Sequence, residues 1–343
     1  MAPRKTILLC VTIIFTHEIH YLWPFCVLIF LPFVHIMLAT GLPAPLNDVP
    51  QGRHFFMRRY FMSEVKPHLS YEGQINKLRE KGCIIADDSF CESILVNIGY
   101  YRLSAYFLPF KNKDGKYVDN LSFEKVYRIY EFDRKLRNLL FSAIEVIEVS
   151  LRTRLAHFHS EKYGPLGYLD AATFNPKHDA EKFKQNIKRE IENNKKVLFV
   201  KHHIDNYDNQ FPLWVISELF TFGTLSYFYN DLTTSDKKVF AGNHYKDMIS
   251  WMRCCTDLRN ICAHYGRLYF RIFTAMPSGF EISEAAKRRL WGAILSVKAL
   301  YPSSEKWNNE FMPRIEALFE EYKEDINLYH LAFPRNWAEQ LEK

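Results

Sequence analysis

Residues 257–268 place Arg259, Asn260 and His264 within two helical turns, with Arg267 just beyond. These are the groups needed to cleave RNA without a metal ion. RNA carries its own nucleophile, the 2′-OH. A protein has to remove that proton, stabilise the extra negative charge at phosphorus and protonate the leaving 5′ oxygen. Histidine suits the proton transfers, because its unperturbed pKa is about 6.5. Arginine suits the charge, because its planar fork can donate two hydrogen bonds to phosphate oxygens. His264 is therefore the expected general acid/base, and Arg259 the expected transition-state stabiliser. Asn260 would orient His264 or the phosphate, and Arg267 would hold a neighbouring phosphate.

The spacing Arg-x-x-x-x-His is weak by itself. It occurs at Arg152/His157, Arg154/His159 and Arg259/His264, and about one such pair is expected by chance. The first two are read as accidental. For the third, a structural reading stands beside the catalytic one: Arg259 as an ion-pair residue, and His264 as a helix C-terminal histidine favoured by the dipole. Helix geometry adds a constraint. Positions five apart lie about 140° apart around a helix, so Arg259 and His264 cannot share one face. Arg259 falls with Met248, Met252, Cys255 and Cys262 on the apolar side, where an unpaired guanidinium is costly. It needs a carboxylate, a phosphate or a subunit boundary, and Glu148 is the expected intramolecular partner. Glu148 and Arg152 are equally open to a role in the site and to a structural salt bridge.

The elements that must hold these residues read as helices. From Phe123 to Lys162 the residues Leu136, Leu140, Ile144, Ile147, Leu151 and Leu155 recur at three- and four-residue steps. Glu145, Glu148, Arg152 and His159 follow the same steps along one edge of that stripe. Gly164-Pro165 ends the helix. In front, residues 70–110 read as short helices, with Gly82 as a stop and Ser89–Glu92 as a capping box opening the next helix. Asp114-Gly115 is a strong turn dipeptide. Behind, a basic helix is expected over 179–197, then a His- and Asn-rich loop over 198–211. Further helices are expected near 212–231, 245–265, 282–301 and 305–324, with 266–280 as a connection. Few strand signals occur, so the expected class is all-α.

Composition sets the bounds. The chain has 343 residues, 48% of them hydrophobic, which is ample for a core, and 16% aromatic. A net charge of +6 with a pI near 8.8 allows a polyanionic partner without demanding one. Seven cysteines are scattered without a CxxC pair, which disfavours a zinc site and suits a reducing, cytoplasmic compartment. Lys188 and Arg189 belong to a run of basic residues that could follow an RNA backbone, although interleaved glutamates make a solvated helix face the blander reading. Tyr100 and Tyr101 could stack on bases, but a place in the core is expected for them.

The first 56 residues differ from the rest. Two apolar runs, 6–15 and 26–39, are interrupted by His17, Glu18, His20 and Pro24. Neither reaches the ~20 residues of a spanning helix. An imperfect membrane anchor, a signal sequence and translation from too early a start, ahead of Met57 or Met62, compete as explanations. The third is preferred, and membrane association is expected only if residues 1–40 are native.

Five boxes in order carry a family resemblance from about Lys66 to about Leu300. They are Lys66-Pro67-His68-Leu69-Ser70-Tyr71, Asn97–Tyr106 around Tyr100-Tyr101-Arg102-Leu103-Ser104, Phe132–Arg137 with Ile147–Leu155, Pro212–Ser226, and Arg259–Leu268. Together they resemble the HEPN ribonuclease superfamily and, within it, the Abi-like (abortive infection) proteins of bacteria. The resemblance implies a HEPN-type helical bundle over 121–325, with a basic helical insertion at 166–211. It places a small helical module at 57–120 in front and a tail at 326–343 behind. It implies a metal-independent endoribonuclease of phage defence, acting as a homodimer whose two motifs share a cleft. No cofactor is implied, and an antitoxin protein or a neutralising RNA would restrain the enzyme. The sequence departs from the family at Tyr265, where a second histidine is often found, and at Phe270, where an asparagine often stands. A non-catalytic RNA-binding HEPN module and a membrane-tethered defence effector are the alternative readings.

Overall fold

Three short helices open the fold in a computed structural model that describes residues 65–342: α1 (Tyr71–Glu80), α2 (Asp88–Ile98) and α3 (Tyr100–Ser104). Ser70 caps α1 by accepting the Gly73 N–H at 3.1 Å. Gly82, at φ +91, provides the expected stop just past the end of α1. The cap of α2 differs from expectation. It is Asp87, whose carboxylate accepts the Phe90 N–H, so the helix starts ahead of the Ser89 capping box. Asp114-Gly115 makes the expected turn, with Gly115 at φ +88. A short parallel bridge, Ile84 to Ser122, then joins this front segment to the next helix.

That helix, α4 (Phe123–Tyr163), runs for 41 residues, roughly 60 Å. Ser122 caps it by accepting the Lys125 N–H. Gly164 ends it at φ +81, as its position before Pro165 predicts. The stripe Val126, Ile129, Phe132, Leu136, Leu140, Ile144, Ile147, Leu151 and Leu155 is buried along its length. The other helices pack around this spine because only burial of so long an apolar stripe offsets the entropy of ordering it.

Beyond α4 come α5 (Ala180–Asn193), α6 (Leu198–Asn206), α7 (Leu213–Ile216), α8 (Phe222–Asp231) and α9 (Thr234–Ala241). The His- and Asn-rich stretch expected as a loop is helical in α6. Val200 is fully buried there, and tertiary packing overrides the low helix propensity of those residues. The helix carrying the motif is α10 (Asp247–Ala263). It is flanked by α4, α8 and, later in the chain, α12 (Leu290–Leu300), which follows the one-turn α11 (Glu284–Lys287). Burial of Met248, Trp251, Met252, Cys255, Leu258, Ile261 and Cys262 reflects this central place. The expected helix at 305–324 is α13 (Ser304–Lys306), a π-helical turn at Trp307–Phe311, and α14 (Met312–Glu321). The chain closes with α15 (Trp337–Leu341).

The class is all-α: among the described residues there are isolated β-bridges but no strand. One connected core takes in Leu78 and Leu95 from the front helices, the α4 stripe, and Leu341 near the end. No helix among the described residues is long and apolar enough to cross a membrane. The expectations for residues 1–56 lie outside the described residues.

Candidate functional site

Glu148 is the hinge of the site. It projects from α4, largely buried, and meets two arginines. One carboxylate oxygen accepts from Arg152 Nη2 at 3.1 Å, one turn along the same helix. The other lies 3.6 Å from Arg259 Nε on α10. Arg152 also donates to the Phe220 carbonyl at 3.0 Å and lies 3.7 Å from Glu218. The partner expected for Arg259 from helix geometry is therefore the one it has.

The two arginines are held differently. Arg152 is held by two hydrogen bonds from its Nη2, although its Nε, like that of Arg259, is buried without a partner. Arg259 makes an ion-pair contact too long for a strong hydrogen bond, and its buried Nε has no hydrogen-bond partner. Its guanidinium sits 5.9 Å from the Phe141 ring centroid, and its side chain stays 34% exposed. The fork thus keeps donors to offer to an oxyanion.

His264 follows at the end of α10, as the C-cap, and is exposed. The helix stops in a Schellman motif: Gly266 N–H bonds Ile261 O at 2.7 Å, and Tyr265 N–H bonds Cys262 O at 3.1 Å. A Cβ at Gly266 would stand 3.0 Å from Ile261 Cγ2 and 3.2 Å from Ile261 O, so a larger residue there would crowd the turn. Tyr265 takes φ +57, in the left-handed region that favours glycine, and stands 69% exposed. Asn260 is exposed one residue after Arg259, and its carbonyl accepts the His264 N–H at 3.0 Å.

The segment after the turn is fixed from below by Asp133, which is fully buried on α4. Its carboxylate accepts the backbone N–H groups of Leu268 and Tyr269, the closest at 2.7 Å. It also accepts the Tyr106 hydroxyl at 2.7 Å and a charged bond from Arg137. Burial pushes the Asp133 pKa up. The four donors around it are what the ionised form requires. Arg137 reaches on to the Gly266 carbonyl at 3.4 Å. None of Asp133, Arg137 and Tyr106 was expected at the site. The signal was available: Asp133 and Arg137 form an i,i+4 pair whose Asp133 falls in register with Leu136 and Leu140.

The remaining expected residues divide. Arg267 does not face outward. It donates to the Ala105 carbonyl, and burial, together with the nearby Arg271 and Arg289 charges, lowers its pKa. Lys188 and Arg189 are exposed on α5, and no hydrogen bond or ion pair joins them to Glu148, Arg259 or His264. Arg189 lines a cavity of about 450 Å³ with Lys182, Phe183, Phe228 and the His178–Asp231 pair. Tyr101, expected in the core, stands 92% exposed. It lies on the five-residue α3, of which only Leu103 is buried. Among the described residues there is no cluster of three His, Cys, Asp or Glu residues able to hold a metal ion.

A sequence model of the Abi-like protein family matches residues 93–270, just over half of the chain. The match takes in Asp133, Glu148, Arg259 and His264 and ends ahead of Arg271. No curated protein and no solved structure matches.

Proposed function

The chain belongs to the Abi-like protein family, and from that premise we propose that it is a metal-independent endoribonuclease of bacterial phage defence, built on a HEPN-type bundle. The observation that carries the reading is the state of Arg259. It is oriented by Glu148 at 3.6 Å, partly exposed and short of hydrogen-bond partners, on the helix that ends at His264. Such a guanidinium can take up charge developing on a phosphorane without first breaking a strong bond.

The reaction is a transesterification. The 2′ oxygen attacks phosphorus, the bond to the 5′ oxygen breaks, and the products are a 2′,3′-cyclic phosphate and a 5′-OH. One proton leaves the 2′-OH and one arrives at the 5′ oxygen. A single imidazole cannot serve both at once, so a homodimer that brings two His264 side chains to one cleft supplies base and acid together. Restraint by an antitoxin protein or a neutralising RNA is proposed on family grounds. A non-catalytic RNA-binding role is the second reading, favoured by Tyr265 standing where a second histidine is often found.

The test is cleavage of an oligoribonucleotide by the purified chain. Activity that survives EDTA, disappears in His264→Ala, and fails at a single 2′-deoxy nucleotide placed at the scissile position supports the proposal. Cutting of that deoxy bond at the normal rate, or a strict need for Mg²⁺, overturns it. Binding without cleavage turns the choice to the second reading.

A further inference from the structure

Arginines crowd the turn after His264 without acids to match them. Arg102, from α3, donates to the Tyr265 carbonyl at 2.8 Å. Arg271 lays its guanidinium beside Gly266, with Nη1 3.7 Å from where a Cβ would stand. Arg289 donates to the Arg271 carbonyl at 3.3 Å and stacks 4.8 Å from the Phe270 ring centroid. Arg267 lies close enough to Arg271 and Arg289 for their charges to disfavour its own. Among the described residues none of the four has a carboxylate within ion-pair distance. The nearest buried acid, Asp133, is already committed to Arg137, Tyr106 and two backbone amides.

Like charges gathered this way repel one another, and an anion that joined them would relieve that repulsion. Each of Arg102, Arg271 and Arg289 spends only one of its five N–H donors on the protein. Arg271 Nε is buried without a partner. Beside them Tyr265 is exposed, at the left-handed position of the turn that ends α10. Basic groups interleaved with an exposed aromatic ring are the footprint of single-stranded nucleic acid: guanidiniums for phosphates, a ring for a base.

We propose that Arg102, Arg271 and Arg289, with Tyr265, form a phosphate-and-base site that takes the nucleotide flanking the scissile bond of single-stranded RNA. The inference rests on the ribonuclease reading for its ligand but uses different residues. Arg271 and Arg289 lie beyond the matched family region. The site takes over the phosphate-holding role expected of Arg267, which is turned inward instead.

The test uses the full chain and a 2′-O-methyl oligoribonucleotide, which binds but cannot be cut. Affinity is measured across a salt series. For Arg271→Gln and Arg289→Gln the slope of log affinity against log salt should shrink by about 0.7 for each single-strand phosphate that is no longer neutralised. Arg271→Lys should keep most of the slope. Tyr265→Ala should weaken binding about tenfold with the slope unchanged. Thermal melts check that each variant is folded. Wild-type binding with the same slope in both Gln variants overturns the site. So does a collapse of the oligomer in those variants with RNA binding intact, which would make the cluster an interface between copies. If the wild type binds no RNA, the ribonuclease reading fails instead. Pyrophosphate then decides the site alone: it should raise the melting temperature of the wild type but not of Arg271→Gln, and no rise in either overturns it.

Discussion

Glu148 and Arg259 face each other across the seam between α4 and α10, 3.6 Å apart, and Glu148 at the same time holds Arg152. One carboxylate thus sets the position of one arginine through a hydrogen bond and of the other through charge alone. Glu148→Gln should lower RNA cleavage markedly while costing only about 1–2 kcal/mol of stability, because Arg259 is partly exposed and Arg152 keeps Glu218 and the Phe220 carbonyl. Urea unfolding and single-turnover cleavage on the same samples separate the two effects. A loss of stability without a loss of rate would make Glu148 purely structural.

Arg259→Ala is expected to reduce the rate by about 10²–10³, the usual cost of removing one charge-stabilising donor. The melting temperature should change little. Arg259→Lys should recover only part of the rate, because a point charge does not reproduce a two-pronged donor. Full recovery by lysine would show that charge, not fork geometry, is what the site uses.

Asp133→Ala should be among the most destabilising single changes in the chain. It strands the Arg137 charge, the Tyr106 hydroxyl and two amides in the core, at a cost of about 3–5 kcal/mol. A urea midpoint close to that of the wild type would contradict the assigned network.

His159 is fully buried among Tyr163, Phe174 and Phe228, and neither ring nitrogen has a hydrogen-bond partner. Burial pushes its pKa down to about 4, against an ordinary value of 6.5; Asp236 pulls the other way and Lys162 adds to the lowering. The unfolded chain then binds the extra proton first. Stability is complete above about 6.5 and falls as the pH drops toward about 4. His159→Phe should remove that component of a stability-against-pH curve. Identical slopes in the two proteins over that window would show that the imidazole is not neutral in the fold.

Tyr265→Gly should stabilise the fold by about 1 kcal/mol, by relieving the left-handed backbone at the end of α10. It should also weaken RNA binding, because the exposed ring is removed. Stability and affinity moving in the same direction would break the link drawn between strain and binding.

The sequence was most legible where one periodicity dominates. The start of α4 matched at Phe123 and its end came one residue past Lys162. The pairing of Arg259 with Glu148 followed from angular position on a helix and the cost of a lone buried charge. The inward turn of Arg267 and the four donors on Asp133 were not legible. Both depend on α3, α4 and the segment after α10 meeting in space, and no local pattern encodes that meeting. α6 was misread because His202, His203 and Asn206 suggest a loop, whereas Val200 anchors a helix in the core.

The bonds from Leu268 and Tyr269 to Asp133 have a consequence for time as well as place. Amide hydrogens held by a fully buried carboxylate can exchange with solvent only when the surrounding core opens. The amides of Leu268 and Tyr269 should therefore be among the slowest to take up deuterium, although they lie past the end of a helix in a segment with no regular structure of its own. The turn that carries His264 is thus tied, four residues on, to backbone that keeps its shape for as long as the protein stays folded.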